Sequence, residues 1–328
     1  MKARTLAIFF GLALTFAVGL GIGEPATVAR PDGPSAAKPP IAIRVGVSRR
    51  LLQAINETDG RNLLLANAQN AGSAAGLEVQ FGNGGFMDAA EMARSIASGE
   101  IDLISVPADE FVRIPPRLLR SEVLTSFTNG MCEEEFLLLV RKDSPYQSVA
   151  SLVNRRINIQ QSTKSHLSVL WLDLLSRRAG LGAAELAFPA ARVSAKPSQV
   201  ILPVFFNQAD GAVATRRSLE TLAELNPRVA RELRAIAVSP PTLSAVLCFR
   251  AGVSDDVVAR ALGAIRKMRS TPMGRQALTL FQIDQFELAT PEALAKTRAL
   301  VLEHDDLAAS SPTARPNAVT SRPGTEPR

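Results

Sequence analysis

The sequence contains few of the residue types on which catalysis, metal binding and redox chemistry depend. It has two histidines and two cysteines in 328 residues, and aromatic residues make up 5%, with one Trp and one Tyr. It has no Cys-x-x-Cys pair, no glycine-rich nucleotide motif, no Gly-x-Ser-x-Gly motif and no His-Glu-x-x-His motif. We therefore expect no enzymatic activity, no metal and no cofactor, and a core built mainly from aliphatic side chains.

A dense basic run with interleaved aromatic residues is also missing. Lysine and arginine number 37 against 31 acidic residues, which gives a net charge of +6, but the basic residues are scattered along the chain. A protein that binds nucleic acid usually concentrates such residues on one face. We therefore expect no nucleic-acid partner, whereas the positive balance still suits an anionic ligand.

The N-terminal residues have the pattern of an export signal. Lys2 and Arg4 precede an apolar run over residues 6–22, and small residues occupy cleavage spacing at 21–23 and again at 27–29. We predict a cleaved signal peptide over residues 1–29 and a mature protein in the periplasm. An uncleaved membrane anchor is the alternative. Because no Cys lies near the cleavage region, we do not expect a lipoprotein.

Both ends of the mature chain are predicted to be flexible. Residues 30–40 are rich in Pro, Ala and Ser, and residues 309–328 contain prolines without apolar periodicity. Strand and helix patterns alternate over residues 41–308. The predicted strands are 41–47, 77–81, 101–106, 136–140, 156–159, 187–188, 211–214, 233–238 and 243–249. The predicted helices are 62–75, one starting near Asp88, 162–178, 219–225 and three that begin after Ser254, Thr271 and Thr290; residues 200–207 are predicted to be helix or loop.

This alternation predicts an α/β fold with two parallel-sheet lobes and a ligand cleft between them. Lobe 1 is predicted to be discontinuous, with residues 41–142 and 240–308, and lobe 2 to span residues 143–239. Extended crossings near residues 132–142 and 238–249 join them.

Two groups of motifs resemble one known family. Residues 136–144 and 148–159 resemble the crossover of type II periplasmic binding proteins, where V-x-K-D-S precedes S-x-x-D-L-x-G-K-x-[IV]. Ser-Pro-Pro at 239–241, Thr-Pro-Met-Gly-Arg at 271–275 and Gln-Ile-Asp-Gln-Phe at 282–286 resemble segments of the phosphate-, phosphite- and phosphonate-binding branch. The resemblance covers most of residues 41–300. It implies a two-lobed substrate-binding protein of an ABC transporter.

A ligand site is predicted where the second lobe's first helix begins. Residues 162–167, Ser-Thr-Lys-Ser-His-Leu, resemble the family motif S-T-S-G-[YH]-L, with Lys164 in place of its second Ser and Ser165 in place of its Gly. Free N–H groups and the helix dipole at a helix N-terminus favour an anion. Ser162, Thr163, Lys164, Ser165 and His166 are therefore candidate ligand contacts. Simple helix capping is the alternative for the hydroxyl residues, and a structural role is the alternative for His166.

The first lobe is expected to contribute residues at its strand ends, because ligands in open α/β sheets bind beyond the carboxyl edge. The candidates are Ser48 and Arg49 after the first strand, Phe86 before the second helix, and Ser105 after the third strand. Asp109 and Glu110 follow the third strand, and they either face solvent or recognise an amine. By resemblance, Asp210 corresponds to an acidic ligand contact in the second lobe, with a turn residue as the alternative.

The two cysteines lie in the two predicted crossings. Cys132 and Cys248 are therefore a possible disulfide in an oxidising compartment, and two buried thiols are the alternative.

The function expected from this pattern is capture of a small anionic solute by lobe closure. The partners are the membrane subunits of an ABC importer or, alternatively, a membrane sensor kinase, and the protein is expected to be a monomer. Two other hypotheses about the function are a degenerate scaffold with an empty cleft and, less favoured, an enzyme on the same fold. Phosphate, phosphite, phosphonate, sulfonate and amino-bearing anions all remain candidate ligands.

Overall fold

The computed structural model describes residues 39–52, 57–162 and 165–310. The strands are β1 (Ile41–Ser48), β2 (Leu77–Met87), β3 (Leu103–Pro107), β4 (Leu119–Phe127), β5 (Glu133–Glu134), β6 (Phe136–Arg141), β7 (Ile157–Gln160), β8 (Arg192–Ser194), β9 (Gly211–Thr215), β10 (Leu233–Val238), β11 (Thr242–Leu243), β12 (Ala245–Arg250) and β13 (Gln285–Leu288). The α-helices are α1 (Glu57–Ser73), α2 (Ala89–Ala97), α3 (Ala108–Arg113), α4 (Leu167–Arg178), α5 (Ala184–Ala187), α6 (Pro197–Phe205), α7 (Arg216–Leu225), α8 (Arg228–Glu232), α9 (Asp255–Lys267), α10 (Pro272–Leu280) and α11 (Pro291–Ser310). No helix within the described residues is long and apolar enough to cross a membrane.

Apart from β5 and β11, these strands form two sheets, which are mixed rather than parallel as predicted, because strands that cross between or return to the sheets run antiparallel to their neighbours. The first has the order β13-β4-β12-β3-β1-β2, with β1 parallel to β2 and β3, and β12 antiparallel to β3 and β4. The second has the order β10-β6-β9-β7-β8, with β7 parallel to β8 and β9, and β6 antiparallel to β9 and β10. The predicted α/β fold class is confirmed. The predicted lobe borders remain a proposal.

The chain passes between the sheets twice, and the two passages lie side by side. β5 follows the first sheet's β4 and pairs in antiparallel fashion with β11, which follows the second sheet's β10. Glu134 pairs with Thr242 and Glu133 with Leu243. This short two-stranded ribbon therefore joins the two sheets at one place.

Helix starts follow the capping residues of the sequence. Asp88 forms a capping box with Glu91 before α2, and the Thr271 hydroxyl accepts from the Gly274 N–H at the start of α10. The Thr290 hydroxyl accepts from the Ala293 N–H, 3.2 Å away, in the first turn of α11. These side chains satisfy N–H groups that have no partner within the helix.

Some predicted elements were wrong. Residues 187–188 end the short helix α5, and the edge strand β8 follows at Arg192–Ser194. Ala184, Glu185 and Leu186 are good helix formers, which explains the helix. Helix α4 begins at Leu167 rather than at residue 162, because a turn closed by side chains comes first. The undecided segment 200–207 lies largely within α6.

The first sheet packs one face against α1, α9 and α10. Ile43 and Val45 of β1 and Leu103 of β3 lie in this apolar layer, with Val258 and Ala261 of α9. Between the sheet and the three helices lies a cavity of about 210 Å³ whose lining is almost entirely apolar. This layer is therefore less completely filled than a typical protein interior.

The other side of the first sheet shares a core with the second sheet. One continuous cluster contains Val106 of β3, Leu138 of β6 and Val213 of β9, together with Leu300 and Val301 of α11. Trp171 of α4 is 1% exposed and stacks on Phe136, with the ring centroids 6.2 Å apart. The two sheets are thus held by a common apolar core as well as by the β5–β11 ribbon.

Helix α11 also connects to both sides through ion pairs. Asp305 accepts from Arg113 of α3 at 2.8 Å, while Glu303 accepts from Arg178 of α4 at 2.6 Å. His304 lies 2.9 Å from Asp173 of α4 through its Nε2 atom. The last described helix therefore packs across the boundary between the two sheets.

Candidate functional site

Polar residues from both sheets meet where β1 and β3 end and where α4 begins. Ser48 is the last residue of β1, and Asp109 and Glu110 lie in the first turn of α3, directly after β3. From the second sheet, Ser162 and His166 lie between β7 and α4. Carboxyl ends of parallel strands are where open α/β sheets bind ligands, so this position is the expected one.

Arg50 is held by the two acids that follow β3. Its Nη1 atom donates to Asp109 Oδ2 at 2.6 Å and approaches Glu110 Oε1 at 3.3 Å. The Ser48 hydroxyl accepts from the Arg50 backbone N–H at 3.2 Å. Asp109 also accepts from Arg113 at 3.1 Å. Both acids are buried, at 5% and 6% exposure, so the interpretation that they face solvent was wrong.

Each of these carboxylates keeps one oxygen unpaired within the described residues. Asp109 Oδ1 and Glu110 Oε2 are buried and have no hydrogen-bond partner there. Burial raises the pKa of Glu110 above its usual range, and the Asp109 charge adds to the rise, against a hydrogen bond from Ser48 and the charge of Arg50. Buried carboxylate oxygens normally have partners, so these two atoms are available to one.

His166 is the most strongly perturbed group of the site. It is 4% exposed, and neither ring nitrogen has a hydrogen-bond partner in the part of the chain that the structure describes. Burial lowers its pKa to about 4, the Arg50 charge lowers it as well, and Asp109 opposes this. The ring is therefore neutral near pH 7, with one nitrogen able to donate and the other able to accept a hydrogen bond.

Ser162 and Ser165 form the turn that leads into α4. The Ser165 hydroxyl accepts from the Ser162 N–H at 2.8 Å and lies 3.0 Å from the Ser162 hydroxyl. Ser165 is fully buried, whereas Ser162 is half-buried. Ser165 thus closes the turn, and Ser162 is the better placed of the two to reach a ligand. Thr163 and Lys164 lie outside the described residues.

A cavity of about 410 Å³ adjoins this group of residues. At one end its walls are polar and come from both sheets, and at the other end they come from α4, α5 and α11. The lining residues are Arg50, Asp109, Gln161, His166, Val169, Leu170, Asp173, Arg177, Ala183, Ala184, Glu185 and His304. This volume falls within the range of about 300–1,000 Å³ that is common for small-molecule pockets.

Four predicted ligand residues, Arg49 among them, are not brought into this group. Ser105 lies within β3 and lines the apolar cavity under the first sheet instead. The Phe86 side chain belongs to the apolar layer of the first sheet, and its carbonyl accepts from Arg49 at 3.0 Å. Asp210 precedes β9, at the end of the second sheet opposite to Ser162, where it accepts from the Arg156 Nε at 3.0 Å. A salt bridge explains that acid without a ligand.

The two cysteines are free, so the possible disulfide is corrected to two thiols. Glu133, the residue after Cys132, pairs with Leu243, which lies five residues before Cys248 in the sequence. Five residues of extended chain span roughly 16 Å, whereas a disulfide requires Cα atoms within about 7 Å. Cys248 is buried in β12, and this burial raises the pKa of its thiol to about 12.

Several residues of the cavity gave no recognisable signal in the sequence. Val169, Leu170 and Asp173 follow His166 at helical spacing, a pattern that is typical of any packed helix face. Arg50 differs, because it lies three residues after the predicted strand 41–47, and this position beyond a strand end was a signal in the sequence. No group of three or more His, Cys, Asp or Glu residues in the described part of the chain is arranged to hold a metal ion.

Comparison with solved structures supports the fold. XAC2383 from Xanthomonas citri bound to ATP matches with a TM-score of 0.54 at 18% identity, covering 81% of this chain and 98% of that one. A binding protein component of an ABC phosphonate transporter from Pseudomonas aeruginosa gives 0.51 at 17% identity, covering 82% and 88%. PhnD1 from Prochlorococcus marinus with methylphosphonate gives 0.50 at 14% identity, covering 80% and 98%. At these identities the likeness concerns the fold alone.

Comparison of the sequence with protein-family models identifies the family. A search of curated proteins gave no match. A model described as "ABC transporter, phosphonate, periplasmic substrate-binding protein" matches residues 78–294, well over half of the chain. The chain therefore belongs to the phosphonate family of ABC-transporter periplasmic substrate-binding proteins.

Proposed function

We propose that this protein captures a small solute with a phosphonate-like anionic group and delivers it to the membrane subunits of an ABC importer. The observation that carries the proposal is His166, a buried neutral imidazole that lines a cavity between the sheets and whose two nitrogens have no hydrogen-bond partner among the described residues. Family membership supports the transport role. We further propose that the protein is a monomer, is exported through a cleaved signal peptide and is not a lipoprotein.

The anionic group is expected to bind at the start of α4. That helix has 12 residues, so its N-terminus carries partial positive charge and N–H groups without partners in the helix. The neutral His166 ring adds one donor, and the Ser162 hydroxyl adds another. Thr163 and Lys164 are part of the same proposal from the sequence.

Closure would follow from contacts on both sides of the cavity. Ser48, Arg50 and Asp109 lie on the first sheet's side, and His166 lies on the second sheet's side. A solute that contacts both sides stabilises the state in which they are close, and only that differential affinity shifts the equilibrium. During such a motion we expect the chain to bend at the β5–β11 ribbon.

The ligand's identity has to be found by experiment, because proteins of this fold hold ligands as different as methylphosphonate and ATP. The test is isothermal titration of the mature protein with methylphosphonate, phosphite, phosphate and ethanesulfonate. We expect at least one of them to bind in a 1:1 complex without turnover. His166→Gln and Ser162→Ala are expected to weaken that binding about tenfold or more, since each removes a hydrogen bond to a charged group.

The control is Ser121→Ala, which alters an exposed serine of β4 away from the cavity and should bind as the parent protein does. Absence of binding by all four anions would refute the anion proposal and favour an empty scaffold or a different solute. Binding that both variants leave unchanged would place the site elsewhere. A separate experiment distinguishes transport from sensing through a membrane kinase: solute uptake is measured in cells with and without the protein. Loss of uptake without the protein would support transport.

A further inference from the structure

The cavity at His166 extends well beyond the space that a small oxyanion needs. His166, Val169, Leu170, Asp173 and Arg177 all line it, and their spacing places them along one face of α4. At 1.5 Å of rise per residue, the eleven steps from His166 to Arg177 span about 16 Å. The cavity is thus elongated along the helix axis.

Its volume supports the same conclusion. An apolar cavity of about 150 Å³ is large enough for benzene. The cavity beside α4 measures about 410 Å³. A methylphosphonate at the start of α4 would therefore leave most of the space filled with water.

The chemistry of the walls changes along the cavity. The end near the sheets is polar, with Arg50, Asp109 and His166. The middle is apolar and consists of Val169, Leu170, Ala183 and Ala184. Val169 is 36% exposed, so part of this apolar surface is in contact with water.

The far end is lined by polar groups that already have partners. Asp173 accepts from Arg177 at 2.6 Å, from the Ala184 N–H at 2.6 Å and from His304 at 2.9 Å. This network makes a fixed polar wall. The apolar middle lies between a polar head position and that wall, and in the described structure it remains partly exposed.

We infer that the solute is an organophosphonate whose carbon substituent, several atoms long, lies along α4 on Val169 and Leu170. The inference rests on the proposed function, because the anionic group must first bind at the start of α4. The substituent would cover apolar surface that water now contacts, which is favourable in proportion to the area covered. Its length is limited by Asp173, which lies seven residues, or about 10 Å, beyond His166.

The test is a titration series of methyl-, ethyl-, butyl-, hexyl- and octylphosphonate against the mature protein. Each added methylene that becomes buried should tighten binding about twofold to fourfold. An extended chain advances about 1.2 Å per bond, so the gain should stop at roughly six to eight carbons, where the chain reaches the Asp173 wall.

Val169→Trp fills the middle of the cavity and should abolish the gain with chain length while methylphosphonate still binds. The matched control is Val193→Trp, on an exposed valine of β8 that does not line the cavity, and it should keep the gain. Val169→Ser, which removes apolar surface at similar size, should reduce the gain per methylene and serves if the Trp variant is unstable.

The outcomes separate the two proposals. Equal affinity for methyl- and hexylphosphonate would overturn the inference and leave the proposed function standing. A chain-length gain that Val169→Trp and Val169→Ser both retain would also overturn it, since the substituent would then lie elsewhere. If no member of the series bound, the proposed function would fail and the inference with it.

Discussion

At the scale of single residues, His166 has the clearest physical consequence. Its pKa is lowered to about 4 because burial disfavours the charged ring and Arg50 repels it. The ordinary value is about 6.5 in an unfolded chain, so between these two values the unfolded protein binds a proton that the folded protein does not. Folding stability contributed by this residue therefore falls as the pH falls through that window.

Replacing His166 by Gln should remove this loss. Between about pH 7 and pH 4.5 the parent protein should lose about 2–3 kcal/mol of unfolding free energy that the His166→Gln variant does not lose. Urea unfolding of both proteins at the two pH values measures the difference. An equal loss in parent and variant would contradict the lowered pKa of His166.

Residue positions were predictable from the sequence where a local pattern sets them. Strand ends and helix starts can be recognised locally: His166, before α4, lines the cavity of about 410 Å³, and Ser48, at the end of β1, hydrogen-bonds to Arg50, which also lines it. Asp210 was predicted as a ligand residue from the resemblance, and Ser105 from an estimated strand end. The structure puts Ser105 inside β3 and Asp210 at the opposite sheet edge, since strand length and register depend on neighbouring strands.

At the scale of secondary-structure elements, the contact of α1, α9 and α10 with the first sheet is incomplete. The cavity of about 210 Å³ beneath them is lined by several small residues, among them Ala68, Ala71 and Ala264. Empty apolar volume costs stability because the lining atoms lose contacts there. Larger side chains at such positions are expected to be stabilising as long as they fit.

Ala264→Leu on α9 should raise the unfolding free energy by about 1–2 kcal/mol, because the added methylenes enter the cavity rather than water. Thermal and urea unfolding measure the change. Ala259→Leu on the same helix is the control: Ala259 is exposed and does not line the cavity, so no comparable gain is expected. Destabilisation by Ala264→Leu would show that the helices cannot accommodate the larger side chain.

Elements with strong local signals were predicted well, and those set by tertiary context were not. The capped helices α2, α10 and α11 begin where Asp88, Thr271 and Thr290 predicted. The edge strand β8 is only three residues long and pairs with β7 alone, so nothing in its own residues specified it. The delayed start of α4 depends on the Ser162–Ser165 hydrogen bonds, which the spacing of apolar residues does not reveal.

At the scale of the whole molecule, the shared core determines how the protein unfolds. Leu300 of α11 is 3% exposed and belongs to a cluster that includes residues of both sheets. Two lobes joined only by a ribbon would unfold separately, whereas a common core couples them. The two-sheet arrangement was foreseeable from the alternation of elements, but the packing of α11 across the boundary was not, because its sequence shows only an apolar face.

Leu300→Ala should therefore lower the unfolding free energy by about 3 kcal/mol, in a single transition that affects both sheets. Two signals report the transition: fluorescence of the single tryptophan, Trp171 in α4, and far-ultraviolet circular dichroism. Within each protein the two signals should have the same midpoint, and the midpoint of the variant should be the lower one. Leu302→Ala, at a 43% exposed position of the same helix, should cost much less. Separate midpoints for the two signals would contradict a shared core.

The position of α11 at the end of the described chain also affects when the protein can become compact. A ribosome releases the chain from its N-terminus, and earlier segments ordinarily begin to fold first. Here, however, Leu300 and Val301 complete the cluster between the sheets, and both belong to the last described helix. The interior common to the two sheets cannot be finished until the residues of α11 have been made. In a protein exported through a signal peptide, as proposed above, this late completion would favour a loosely folded chain during synthesis.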